Sequence, residues 1–208
     1  MLPQFILNLN PVEPMTYPEF RDMTIKEIKD VNPDDLEGID RKYLEYRKIN
    51  IQRGSRLEKH FKLSEELSST INLINEKQYW IVITESWCGD SAQILPIIAK
   101  AAELNDNISL QIILRDNNPQ IMELYLTNGK SKSIPVFIGF NSSEKEIFRW
   151  GPRPETAKNL VADLRTAGAD NTEVNKQLHL WYGRNRGKDF EKELITLLKF
   201  SLAENKTK

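Results

Sequence analysis

The stretch TESWCGDSAQILP, Thr84 to Pro96, holds Cys88, the only cysteine among 208 residues. A thiol does nucleophilic and redox chemistry as its thiolate, and the first turn of a helix favours that form through unsatisfied N–H groups and the helix dipole. An apolar β-branched run ends at Thr84 and a helix-forming run begins near Ser91, so Cys88 falls at a strand-to-helix junction. Ser91 stands where a dithiol motif has its second cysteine. Its hydroxyl is suited to donate a hydrogen bond to a Cys88 thiolate, but it cannot resolve a mixed disulfide by thiol chemistry. Asp90 opposes it, because a carboxylate two residues from the sulfur disfavours a second negative charge. The bland alternative for Cys88 is a small buried hydrophobe, a common fate of free cysteine.

The elements that position this thiol are read from hydrophobic period. YWIVIT, Tyr79 to Thr84, and SLQIILR, Ser109 to Arg115, are short, apolar and β-branched, as buried strands are. Between them SAQILPIIAKAAELN puts Ile94, Ile97, Ile98 and Ala101 on one helical stripe. NPQIMELYLTN is expected to be a second helix with proline near its start. PVFIGF and EIFRWG flank the polar NSSEK as two hairpin strands, and a helix over 153–166 closes the unit with Leu160, Val161 and Leu164 inward. The order is β-α-β-α-β-β-α.

Outside this unit the signals are helical. Ser64 is a candidate N-cap followed by Glu65 and Glu66, with Leu67, Ile71 and Ile74 at helical spacing. Beyond Ala167, Val174, Leu178 and Trp181 form one stripe, GRNRG breaks it, and Phe190, Leu194, Leu197 and Leu198 form another. With no low-complexity linker, these apolar faces need a surface to bury against. The expected organisation is an N-terminal helical extension over 1–76 packed on the core, a core over 77–167, and a C-terminal helical extension over 168–208.

Composition narrows the class. Lysine and arginine total 29, aspartate and glutamate 30, for a net charge of −1, so no overall field points to nucleic acid or an anionic membrane. No apolar run approaches the roughly 20 residues of a bilayer span, and MLPQFILNLNPVEPM lacks the pattern of a secretory signal. One cysteine permits no intrachain disulfide, and the expected location is cytoplasmic. His60 and His179 are too few and too separate for a metal site and are expected to be packing or solvent residues; no metal and no cofactor are expected.

The middle unit resembles the thioredoxin family. WCGDS stands where that family carries W-C-G-P-C, and Pro96 follows Cys88 by eight residues, as the proline that kinks the family's active-site helix does. DNNP, Asp116 to Pro119, resembles the family's D-x-N-P, and SIPVF, Ser133 to Phe137, resembles the segment whose proline is cis and faces the cysteine. Gly151 follows Pro135 by sixteen residues, as the family's groove glycine follows its cis-proline. The whole chain, with RWGPRP and LHLWYG, also resembles bacterial thioredoxin-like proteins with helical additions at both ends. The resemblance implies an α/β thioredoxin-like fold with a central four-stranded mixed sheet, flanking helices, and extra helices at each end. It implies a site in which Cys88 and Ser91 are the catalytic pair. Trp87, Gly89, Asp90, Ile134, Pro135, Trp150 and Gly151 are the implied substrate-binding residues. It makes Cys88 solvent-accessible and reactive, and turns the backbone at Ile134 outward to pair with an extended peptide.

The departures bear on activity. The buried aspartate that the family carries six residues before its first cysteine is Val82 here, so both parts of the resolving step are missing. Arg115 stands where the groove usually has an apolar residue and adds charge selectivity. The expected function is therefore a monothiol thiol-disulfide oxidoreductase, forming mixed disulfides through Cys88 with a protein disulfide or a glutathione-type thiol. The alternative is a non-catalytic peptide-binding module. An iron–sulfur role like that of monothiol glutaredoxins is disfavoured, because their lysine-bearing strand end and their glycine pair after the cis-proline are missing. A peroxidase is disfavoured because Glu85 stands where a threonine or serine is expected.

Overall fold

Strand alternation divides the core in two. The computed structural model describes residues 2–205. Its sheet has the order β2-β1-β3-β4, formed by β1 (Gln78–Thr84), β2 (Ile108–Leu114), β3 (Val136–Phe140) and β4 (Glu146–Trp150). β1 runs parallel to β2 and antiparallel to β3, and β3 is antiparallel to β4. Because successive side chains point to opposite faces, Trp80, Val82 and Phe137 enter one apolar cluster, while Ile81, Ile83, Val136 and Ile138 enter the other.

The second cluster is covered by the short α1 (Gln4–Leu7), which contributes Ile6, and by α6 (Pro119–Met122). The first is deeper. It takes α5 (Ser91–Ala102), α7 (Glu155–Thr166) and apolar residues from all the longer added helices: α2 (Tyr17–Lys29), α3 (Gly38–His60), α4 (Glu65–Asn72), α8 (Asn171–Asn185) and α9 (Lys188–Asn205). The outer helices thus share one core with the sheet.

Local chemistry sets their ends. Thr16 and Glu19 form a capping box at the start of α2, and the Ser64 hydroxyl caps α4 by accepting from Leu67 N–H. GRNRG separates α8 from α9 because Arg186 and Gly187 take positive φ, 53° and 83°, and a Cβ on Gly187 would lie 2.4 Å from the Ile97 side chain. The helix expected over NPQIMELYLTN is cut short. It gives a single turn, α6, then a 3-10 turn over Glu123–Tyr125. Leu126 is extended, and Asn128 and Gly129 turn with positive φ so that Thr127 pairs with Ser131.

Asn118 of DNNP ties the N-terminal segment to the sheet. Fully buried, it donates through Nδ2 to the carbonyls of Val12 and Leu114 and accepts from Val12 N–H at 2.7 Å. Three residues on, Met15 exchanges both backbone hydrogen bonds with Ile112 on the outer side of β2.

Candidate functional site

The turn between β1 and α5 carries Trp87, Cys88, Gly89 and Asp90, with Ser91 opening the helix. Cys88 N–H donates to Glu85 O, and Ala92 N–H donates to Cys88 O, so the cysteine is fixed at the helix entrance. Its thiol donates to the carbonyl of Ile134 at 3.5 Å, and the next peptide bond, Ile134–Pro135, is cis. Gly151 has φ of +139°, and a Cβ there would stand 2.2 Å from the Pro135 carbonyl oxygen, so only glycine lets the β4 end approach the proline loop this closely. Gly151–Pro152 is also cis.

Cys88 departs from the expectation of an accessible, reactive thiol. It is buried, 7% exposed, and burial together with the nearby Asp90 charge pushes its pKa up to about 11. Hydrogen bonding from Ser91 and from the backbone at Asp90 and Ser91 opposes the rise without cancelling it. Desolvation outweighs the helix entrance because the added helices close over it. Ser91 is itself buried and accepts from Thr84 Oγ1 at 2.5 Å, which fixes its hydroxyl beside the sulfur. Asp90 accepts from Arg153 Nη2 and from Tyr182 Oη, each at 2.6 Å. Burial raises its pKa, against the pull of Arg153 and Tyr182.

Two further expectations are corrected. Trp150 does not face the cysteine. Its ring packs on Phe190 at 4.7 Å, its indole N–H donates to Glu193, and it belongs to the core cluster on the other side of the sheet from Cys88. The Ile134 backbone is not turned out to an open groove, since the residue is 6% exposed and its carbonyl accepts from the Cys88 thiol. Trp87 is half-buried, with Tyr43 of α3 stacked on it at 4.5 Å and the Arg115 guanidinium 5.0 Å from its ring.

The thiol lies between two hollows. One, of about 40 Å³, is enclosed by α2, α3 and α5 and is lined by Gly54, Glu85, Cys88 and Ser91. Burial raises the Glu85 pKa to about 7, although Asp116 N–H donates to its carboxylate. The other is a cleft of about 340 Å³ lined by Trp87, Cys88, Gly89, Asp90, Ile134 and Pro152, together with Arg53 of α3, Arg115, Arg153 and His179 of α8. Gly89 underlies His179, for a Cβ there would meet the imidazole at 2.7 Å. Burial and the charges of Arg53 and Arg153 lower the His179 pKa to about 4, so the ring is neutral near pH 7.

Sequence reasoning gave no site role to Arg53, Arg153, His179 or Tyr182. They come from segments far from the cysteine motif, and no local spacing links them to it. The only signals were RWGPRP and LHLWYG, which carry three of the four. Among the described residues, no group of three or more His, Cys, Asp and Glu is placed to hold a metal, and no helix is long and apolar enough to cross a membrane.

Comparison with known proteins bears on the fold. The chain resembles the crystal structure of an HIV epitope-scaffold at a TM-score of 0.54 and 16% identity, covering 89% of this chain and 98% of that one. It also resembles a protein of unknown function from Pseudomonas aeruginosa at a TM-score of 0.51 and 17% identity, with the same coverage of 89% and 98%. At these identities the likeness concerns the fold alone. No curated protein matches the sequence. A family model described as Thioredoxin matches residues 39–165, which hold α3 but for its first residue, the entire four-stranded sheet, the Cys88 turn and α7 but for its last residue; the chain belongs to the thioredoxin family.

Proposed function

We propose that this protein is a monothiol exchange protein whose Cys88 reacts with a disulfide seated in the cleft beside Ile134 and Pro135. The observation that carries the reading is the position of the sulfur, in the cleft wall and hydrogen-bonded to the carbonyl that precedes the cis-proline. In the exchange, Cys88 gives its proton to solvent and its sulfur attacks one sulfur of the disulfide. That S–S bond breaks, and the leaving thiolate takes up a proton, giving one mixed disulfide and one free thiol. An external thiol reverses the step, since Ser91 offers no resolving sulfur. Burial holds the resting thiol protonated, so reaction depends on the seated ligand. An N–H donor taking the Ile134 carbonyl releases the thiol from its hydrogen bond.

Incubation of the full chain with glutathione disulfide, followed by intact-mass measurement, tests the reading. A single adduct that is lost in Cys88→Ser and removed by excess thiol is expected. No adduct at pH 9, over an exposure roughly a hundredfold longer than a cysteine peptide needs to react fully, refutes it. The burial and raised pKa of Cys88 favour the second reading, a non-catalytic binding module, and that is what a missing adduct supports.

A further inference from the structure

The protein's net charge is −1, yet the walls of the Cys88 cleft are cationic. Arg53, Arg115 and Arg153 line it, with Asp90 the one carboxylate among the described residues that do. Asp90 is paired with Arg153, and Arg115 is held by Asp116 on the rim. Arg53 forms no ion pair among the described residues, and the Asp90 charge that acts on it is already held by Arg153. Its Nη1 donates to Asn50 Oδ1, and burial and the neighbouring Arg56 lower its pKa against the opposing pull of Asp90 and Tyr46, so the negative charge nearby does not offset its burial. Arg56 and Lys176 stand with Arg53 and His179 around an adjoining shallow depression, so the positive surface continues outward. Two buried nitrogens at the cleft, Arg153 Nε and His179 Nδ1, have no hydrogen-bond partner among the described residues. A guanidinium Nε–H is always a donor, so an acceptor is wanted beside it.

Shape limits what fits. α3 and α8 both contribute walls, Tyr43 covers Trp87, and Trp150 is sealed under α9. A continuous extended chain has no open run along Ile134, whereas a molecule of a few residues fills about 340 Å³.

We propose that the cleft is a binding site for a small, carboxylate-bearing, peptide-like molecule, its carboxylate held by Arg53 and Arg153. An amide N–H of the same molecule is directed to the Ile134 carbonyl. The site names a ligand class for the cleft and needs no sulfur chemistry, so it stands or falls separately from the exchange reading.

The probe is S-methylglutathione, which carries two carboxylates and amide N–H groups but no thiol or disulfide. Titration calorimetry on the full chain is expected to give saturable binding, weakened at least tenfold by 0.5 M salt. Arg53→Gln is expected to weaken it at least tenfold, Arg115→Gln severalfold, and Arg165→Gln on the exposed side of α7 not at all. Arg115→Gln serves if Arg53→Gln fails to fold, as judged by circular dichroism. No saturable binding, binding indifferent to salt and to both arginine variants, or tighter binding of a ten-residue acidic peptide overturns the proposal. Mixed-disulfide formation without such binding leaves the exchange reading standing and removes this one. Binding without any Cys88 adduct does the reverse.

Discussion

Alkylation of Cys88 as a function of pH tests the electrostatics of the site directly. With a pKa of about 11, roughly one molecule in 10⁴ carries the thiolate at pH 7, against about 3% for a free cysteine of pKa ~8.5. Ionisation alone therefore slows the reaction by about 300-fold. A more basic thiolate is intrinsically more nucleophilic, and a Brønsted slope of about 0.4–0.5 over roughly 2.5 units returns about tenfold. The net expectation is alkylation about 30-fold slower than a cysteine peptide, before any slowing by burial. The rate should rise about tenfold per pH unit through pH 9. Asp90→Asn removes a charge that holds the thiol up and leaves the Arg153 guanidinium unpaired beside it, so both changes lower the Cys88 pKa. A neighbouring charge is typically worth a unit or more, and after the same correction for nucleophilicity each unit gives about three- to fourfold faster alkylation in that variant at pH 8. Stopped-flow or mass-spectrometric measurement with iodoacetamide, a neutral reagent, reads both profiles. A wild-type rate that levels off near neutral pH, or an Asp90→Asn rate no faster than wild type, refutes the account in which burial and the Asp90 charge hold the thiol protonated.

Three further outcomes follow from the packing. The unmodified protein should not turn over insulin disulfides with a reductase system, whereas Ser91→Cys should form a bridge with Cys88, seen as a loss of two hydrogens in the intact mass, and gain weak activity. Gly151→Ala places a Cβ 2.2 Å from the Pro135 oxygen at a φ of +139°, and a loss of about 2–4 kcal/mol in urea denaturation is expected, with severalfold weaker ligand binding. Glu85, raised to about 7, binds a proton in the folded state that the unfolded chain has released. Its contribution is full below about pH 4.5 and is lost as pH rises through 7, so stability should decline across that window in wild type and less steeply in Glu85→Gln.

The parts of the structure that were legible in the sequence are those written in local period. Tyr79–Thr84 announced β1 through a β-branched run, and the Ile94, Ile97, Ile98 stripe announced α5, because strand and helix burial repeat every 2 and about 3.6 residues. The truncation of α6 was not legible, since NPQIMELYLTN is helical in composition while the chain passes into a 3-10 turn at Glu123 and into extended backbone at Leu126. The motif around Cys88 located the thiol but not its state. That state depends on Tyr43 and Arg53 from α3 and on His179 and Tyr182 from α8, which meet the motif only after the chain has closed on itself. Trp150 was misplaced for a related reason. Strand parity decides its face, and its partners Phe190 and Glu193 lie on a helix some forty residues later.

The reciprocal backbone pair between Met15 and Ile112 has a consequence for how the protein behaves in company. β2 is an outermost strand, and such a strand offers a row of free N–H and C=O groups on which another copy can template itself. Met15 occupies that row at Ile112, in the middle of β2, and the Asn118 clamp on Val12 keeps the segment in place. The N-terminal segment is in this sense a guard against edge-to-edge aggregation. Cleavage of the chain before Thr16, or loss of the clamp in Asn118→Ala, bares the edge of a strand whose sequence, ISLQIIL, is uncharged and rich in isoleucine and leucine. Self-association that grows with protein concentration is the form in which that damage is expected to be seen, even where the Cys88 site is untouched.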